Sequence, residues 1–86
     1  MIHELKTWPA FFEQVVTNVK SYELRRNDRP FRVRDELYLR EWDPDKKIYT
    51  SRYARVTVTH VLQGPILGLQ AGWVIMSVVF TEKGTE

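Results

Sequence analysis

Lys20, Glu23 and Arg25 fall in one short segment, Lys20-Ser21-Tyr22-Glu23-Leu24-Arg25, and such a trio could do either of two things. A lysine beside a carboxylate can hold a ligand anion, or the pair can act as general acid and base. Glu41 is the second carboxylate that could join Lys20, so a nucleotide or RNA hydrolase would draw its catalytic groups from Lys20, Glu23 and Glu41. A lysine between two carboxylates keeps its charged form, which suits holding a phosphate better than abstracting a proton at neutral pH. Binding is therefore expected before catalysis.

The same segment opens a cationic stretch. From Asn18 to Arg34 there are six of the thirteen basic residues, Lys20, Arg25, Arg26, Arg29, Arg32 and Arg34, against Glu23 and Asp28. This leaves a formal +4 in the stretch and −2 elsewhere, an asymmetry that the overall +2 conceals. Tyr22, Phe31, Tyr38, Trp42 and Tyr49 are interleaved with eight arginines. Cations for phosphates and flat faces for bases are what single-stranded nucleic acid requires. Arginine's planar fork suits phosphate better than a lysine ammonium. An acidic protein partner would use the same charge, which keeps a protein-interaction module as a third reading.

The elements that must position these groups follow from periodicity. Thr7 as N-cap and Pro9 in the first turn predict a helix from about Trp8 to Val19, with Trp8, Phe12, Val15, Val16 and Val19 on one apolar face. Trp8 is then either a core anchor, as its apolar partners favour, or a stacking platform for a base. Lys20 to Arg25 reads as a strand, with Glu23 and Arg25 on one face and Lys20, Tyr22 and Leu24 on the other. Arg26 to Phe31 reads as a loop that Phe31 and Val33 pin down. Leu37 to Trp42 alternates, so Glu41 shares a face with Leu37 and Leu39 and sits either in a cleft or at a rim beside an arginine.

Asp43 to Lys47 is a hairpin connection. Tyr49 to Leu62 is a long strand with His60 in phase with Val56 and Val58, hence at the core margin. Ile66 to Leu69 is expected to form one turn of helix. Trp73 to Phe80, nearly all apolar, is expected to be buried on both faces. Thr81 to Glu86 reads as a polar tail. His3 and Lys6 would approach the cleft from the helix N-terminus, where anions are favoured.

Asn18, Lys20, Glu23 and Arg25 together resemble the GxKxxExR signature of ASCH domains, small barrels of the PUA-like superfamily. Asn18 stands at the glycine, and asparagine is the next most tolerant residue of a left-handed backbone. The resemblance extends through HELKTWPAFF, YELRRNDRPF, LYLREWD, YTSR and GLQAGWVIMSV, nearly the whole chain, and is to a compact ASCH-like family of uncharacterised bacterial and phage proteins. It implies an α+β fold, a small, mostly antiparallel PUA-like β-barrel of five to six strands with an N-terminal helix. It also implies an RNA or modified-nucleotide ligand in a cleft between that helix, the Lys20 to Arg25 strand and the end of the Leu37 to Trp42 strand. The candidate ligand-binding residues are Lys6, Trp8, Lys20, Glu23, Arg25, Arg26, Arg29, Glu41 and Trp42. ASCH-type enzymes that deacetylate a modified cytidine carry a threonine nucleophile where this chain has Glu23, and Ser21 would point to the opposite strand face, so that reaction is not expected.

Eighty-six residues make one domain, residues 1–86, able to bury roughly 60–65% of its unfolded surface. There is no cysteine, so disulfides, thiol nucleophiles and zinc-thiolate sites are excluded. His3 and His60 have no partners at metal-ligand spacing, and neither metal nor cofactor is expected. MIHELK has no apolar leader core, and the longest apolar run is far short of a membrane span. The expectation is a soluble cytoplasmic protein.

Overall fold

The computed structural model describes residues 1–86. Six elements follow one another: β1 (Ile2–Thr7), α1 (Pro9–Val16), β2 (Tyr22–Arg26), β3 (Glu36–Asp43), β4 (Ile48–Gln63) and β5 (Trp73–Thr85). The strands form one mixed sheet in the order β1-β3-β4-β5-β2. β1 pairs with β3 in parallel, and the other three pairings are antiparallel. The sheet curls into a half-barrel around α1, a small α+β barrel-like fold.

The two edge strands approach each other without pairing, and arginines bridge the seam. Arg25 Nη1 donates to the Lys6 carbonyl at 2.8 Å and Arg29 Nη1 to the Glu4 carbonyl at 2.9 Å. Glu4 and Lys6 are two residues apart on β1, so both carbonyls point to its unpaired edge. The guanidinium groups thus satisfy acceptors that an open edge would otherwise expose.

α1 starts with Pro9 at its first position and Trp8, not Thr7, as N-cap. It ends earlier than the periodicity predicts, because the chain leaves the helix through a Schellman turn. Asn18 has φ 62°, its N–H donates to the Val15 carbonyl, and Val19 N–H donates to Gln14. Asparagine therefore takes the left-handed position expected of it. An eight-residue helix is marginal alone. Phe12, Val15 and Val16 hold it in the core, at about 1.5–3 kcal/mol for each large apolar side chain buried. Trp8 is 54% exposed and Val19 76% exposed, so the predicted packing role of these two is incorrect.

The core comprises Leu5, Phe12, Val15, Val16, Phe31, Leu37, Leu39, Ala54, Val56, Val58, Val74, Met76 and Val78. Phe31 pins the basic loop as expected, while Val33 is exposed. Asp43 Oδ1 accepts from the N–H groups of Asp45 and Lys46 and nucleates the β3–β4 hairpin. β1 itself was not anticipated: its inward positions are His3, Leu5 and Thr7, and two polar residues of three mask the alternation.

Four other expectations change. A bulge at Thr59 shifts the register between Val58 and His60, so His60 turns to solvent and Val61 packs on the core. Only one face of β5 is buried, through Val74, Met76 and Val78, because no layer covers the other side. The expected tail belongs to β5: it pairs with β4 as far as Thr85, and Glu86 accepts from Tyr38 and Arg40. Ile66 and Leu69 form an antiparallel bridge instead of a helical turn.

Candidate functional site

The Schellman turn also delivers Lys20. Its N–H donates to the Gln14 carbonyl, which folds the residue back under the helix before β2 begins. Lys20 is therefore not bound by strand parity, and its side chain reaches the face of Glu23 and Arg25, the opposite of the alternation forecast. Lys20 Nζ donates to Glu23 Oε2 at 2.5 Å and to the Tyr22 carbonyl at 2.7 Å.

Glu23 is 1% exposed, a carboxylate that must be compensated where it lies. Its Oε1 accepts from Arg25 Nε at 3.0 Å and Nη2 at 2.8 Å. Arg25 Nη2 also donates to Thr7 Oγ1 at 3.1 Å. With Nη1 on the Lys6 carbonyl, every nitrogen of Arg25 is engaged by the protein. Arg25 is accordingly a clasp between β2 and β1. Lys20 has three N–H donors and spends two, leaving one for a ligand.

These groups floor a groove of about 350 Å³ lined by Lys6, Thr7, Trp8, Phe11, Lys20, Tyr22, Glu23, Leu24 and Arg25. Its walls are aromatic. The Trp8 and Phe11 rings are nearly parallel, 15° apart in plane, with centroids 6.3 Å apart, and Lys20 Nζ stands 4.8 Å from the centre of the Tyr22 ring. Trp8 and Phe11 are adjacent because they are three residues apart in the chain, on the helix-start face that looks away from the core.

The groove thus brings together Lys6, Trp8, Lys20, Glu23 and Arg25 of the predicted set. Its third wall is the end of β1, where β3 was expected. Trp42 does not line the groove but stands on the neighbouring strand β3, with Lys6 Nζ 4.4 Å from its ring centroid. Glu41 does not line the groove: it is buried on β3, accepts from Thr50 Oγ1 at 2.6 Å and lies 3.6 Å from Arg52 Nη1, the arginine-paired arrangement at the core margin. His3 is also elsewhere, buried edge-on against Phe31 with Nε2 2.8 Å from Asp35 Oδ2.

Arg26 and Arg29 line a neighbouring depression instead. Asp35 ties the basic loop to β1 through His3, the Arg32 N–H and the Met1 amino group. Burial alone would raise its pKa, but these partners outweigh it and hold the carboxyl below the ordinary 3.8. Sequence reasoning missed Thr7, Phe11 and Leu24 as lining residues and had Tyr22 only among the aromatics interleaved with the arginines. The spacing of Phe11 from Trp8 was the available signal, whereas nothing local marked Thr7.

No group of three or more His, Cys, Asp or Glu side chains is arranged to hold a metal ion. No helix is long and apolar enough to cross a membrane.

A family model described as a domain of unknown function, DUF3850, matches residues 2–78. The match spans β1 through Val78 in the first half of β5 and includes every groove residue, and the chain belongs to this family. No curated protein matches it.

Proposed function

We propose that this DUF3850 chain binds RNA or a modified nucleotide in the groove between β1, α1 and β2. One observation carries the reading: the buried Glu23 carboxylate is clamped by two cations, Lys20 and Arg25, on the floor of an aromatic-walled groove. The cluster has a net positive charge at the place where Trp8 and Tyr22 offer faces for a base. The remaining N–H of Lys20 and the ammonium of Lys6, which has no carboxylate within 4.0 Å, meet the ligand's oxygens. Glu23 and Arg25 hold the floor in place. The resemblance to ASCH domains of the PUA-like superfamily supports the same ligand class.

The hydrolase alternative draws less from the geometry. Both oxygens of Glu23 accept from cations, and Glu41 is held by Thr50 and Arg52 outside the groove. Neither carboxylate is free to take a proton from a nucleophile.

Fluorescence anisotropy with a labelled single-stranded RNA pool, and calorimetry with modified nucleosides, test the proposal. Binding that weakens on raising salt and is lost in Lys20→Ala is the expected result. No binding at low salt would overturn the nucleic-acid reading and favour an acidic protein partner. Turnover in the parent that disappears in Lys20→Ala would replace binding by hydrolysis.

A further inference from the structure

Beyond the clasp lies a second depression of about 330 Å³, lined by Leu5, Leu24, Arg25, Arg26, Asp28, Arg29, Phe31 and Trp73. It shares Leu24 and Arg25 with the first groove, so the two lie on either side of one arginine along the β1–β2 seam. Both volumes stand at the lower end of the about 300–1,000 Å³ usual for small-ligand sites. The second depression differs in chemistry from the first. It has no cation-clamped buried carboxylate.

Arg25 is fully engaged, but the other two cations of the depression keep N–H donors that no side chain takes up. Arg26 has no carboxylate within 4.0 Å, and its guanidinium carbon lies 5.3 Å from the centre of the Trp73 ring, a cation over an aromatic face. The register Arg26↔Trp73 on β2 and β5 enforces the pairing. Arg29 gives Nη1 to the Glu4 carbonyl, and its nearest acid, Asp28, is 3.8 Å away and solvent-exposed. Nη2 of Arg29 makes no protein hydrogen bond.

Resting on the nucleotide-binding reading of the first groove, we propose that the ligand is a single-stranded oligonucleotide that crosses Arg25. One nucleotide sits in the Trp8–Lys20–Tyr22 groove, and its neighbour sits in the second depression. The phosphate of that neighbour is gripped by Arg26 and Arg29, and its base meets Trp73. The charge is complementary to a phosphodiester, and the free forks match its geometry better than an ammonium would. A free nucleoside would fill half of the seam.

Calorimetric and anisotropy titrations of nucleoside monophosphates, dinucleotides and octanucleotides of RNA provide the test, with parent, Arg26→Gln, Trp73→Leu and Lys46→Gln proteins. Lys46 carries the same charge in the β3–β4 hairpin, outside both depressions. Dinucleotides are expected to bind at least about 10-fold more tightly than monophosphates, as one further stacked base implies. Arg26→Gln should remove that gain and lower the salt slope by about 0.7, with monophosphate binding unchanged. Trp73→Leu should remove the gain at an unaltered slope, and Lys46→Gln should do neither. Monophosphates binding as tightly as dinucleotides, or Arg26→Gln and Lys46→Gln behaving alike, would overturn the second subsite while the first groove stands. Failure of every ligand to bind would remove the reading on which it rests.

Discussion

On β3 and β4, Arg40, Arg52 and Arg55 each lie between two carboxylates: Glu4 and Glu86, Glu13 and Glu41, and Glu36 and Glu82 respectively. Along β2 and the loop after it, Arg26, Arg32 and Arg34 have no carboxylate within 4.0 Å. The two regions contain the same residue type in similar numbers and use it for different ends. The first set ties strands and helix together within an excess of carboxylate, three arginines against six glutamates. Tyr38 and Tyr53 stack over it with centroids 5.2 Å apart, and the Tyr38 hydroxyl donates to Glu86. The second set is exposed to solvent and paired with no carboxylate. Arg25 stands between these extremes, since it is a clasp placed inside the open region.

Glu23→Gln should have the largest effect, because it leaves Lys20 and Arg25 facing each other across a mostly buried floor. Removing one partner of a buried ion pair costs about 3–5 kcal/mol, and urea unfolding should register a loss of that order. A loss below about 1 kcal/mol, the range of exposed pairs, would mean that the floor is no different from the paired face.

The attachment of the free arginines should depend on acid. The Asp35 carboxyl is held below 3.8, so its folded form binds fewer protons than the unfolded chain as pH falls through that region. Its contribution is present above about pH 4 and is lost below that. The urea midpoint should therefore fall as the pH drops below about 4, and Asp35→Asn should be less stable at pH 7 with a flatter acid limb. An acid limb identical to that of the parent would place the acid sensitivity in another carboxylate.

Smaller still in stability is the effect expected of Arg26→Gln and Arg32→Gln, within about 0.5 kcal/mol. Their signature belongs to binding, as a salt slope reduced by about 0.7 for each phosphate that is no longer neutralised. Unfolding measured alongside RNA titration separates the two quantities. A stability loss equal to that of Glu23→Gln would show these arginines to be structural.

Arg40→Gln should do least on both axes. Its partners are exposed, and exposed pairs contribute little, so neither the urea midpoint nor RNA affinity should move appreciably. A large drop in RNA affinity would abolish the distinction between the two regions.

Several features of this protein were written in local sequence. The charge of Asn18 to Arg34, the left-handed turn at Asn18, the β3 alternation that buries Glu41 beside Leu37 and Leu39, and the Asp43 hairpin each depend on neighbours a few residues away. Composition, turn chemistry and period are visible at that range. The rest required long-range pairing. β1 exists because β3 and the arginine seam accept it, although its inward residues include His3 and Thr7. His60 faces solvent because a bulge against β5 inserts Thr59, and one added residue reverses the face of all that follows. Glu41 was separated from Lys20 because its strand carries it to Thr50 and Arg52, whereas Lys20 left its expected strand face because the helix exit folds it beneath Gln14. Side-chain chemistry was thus local information, but which arginine meets a carboxylate and which meets solvent depends on strand order and register. Those are set by closing the sheet around its core, over separations at which no sequence period operates.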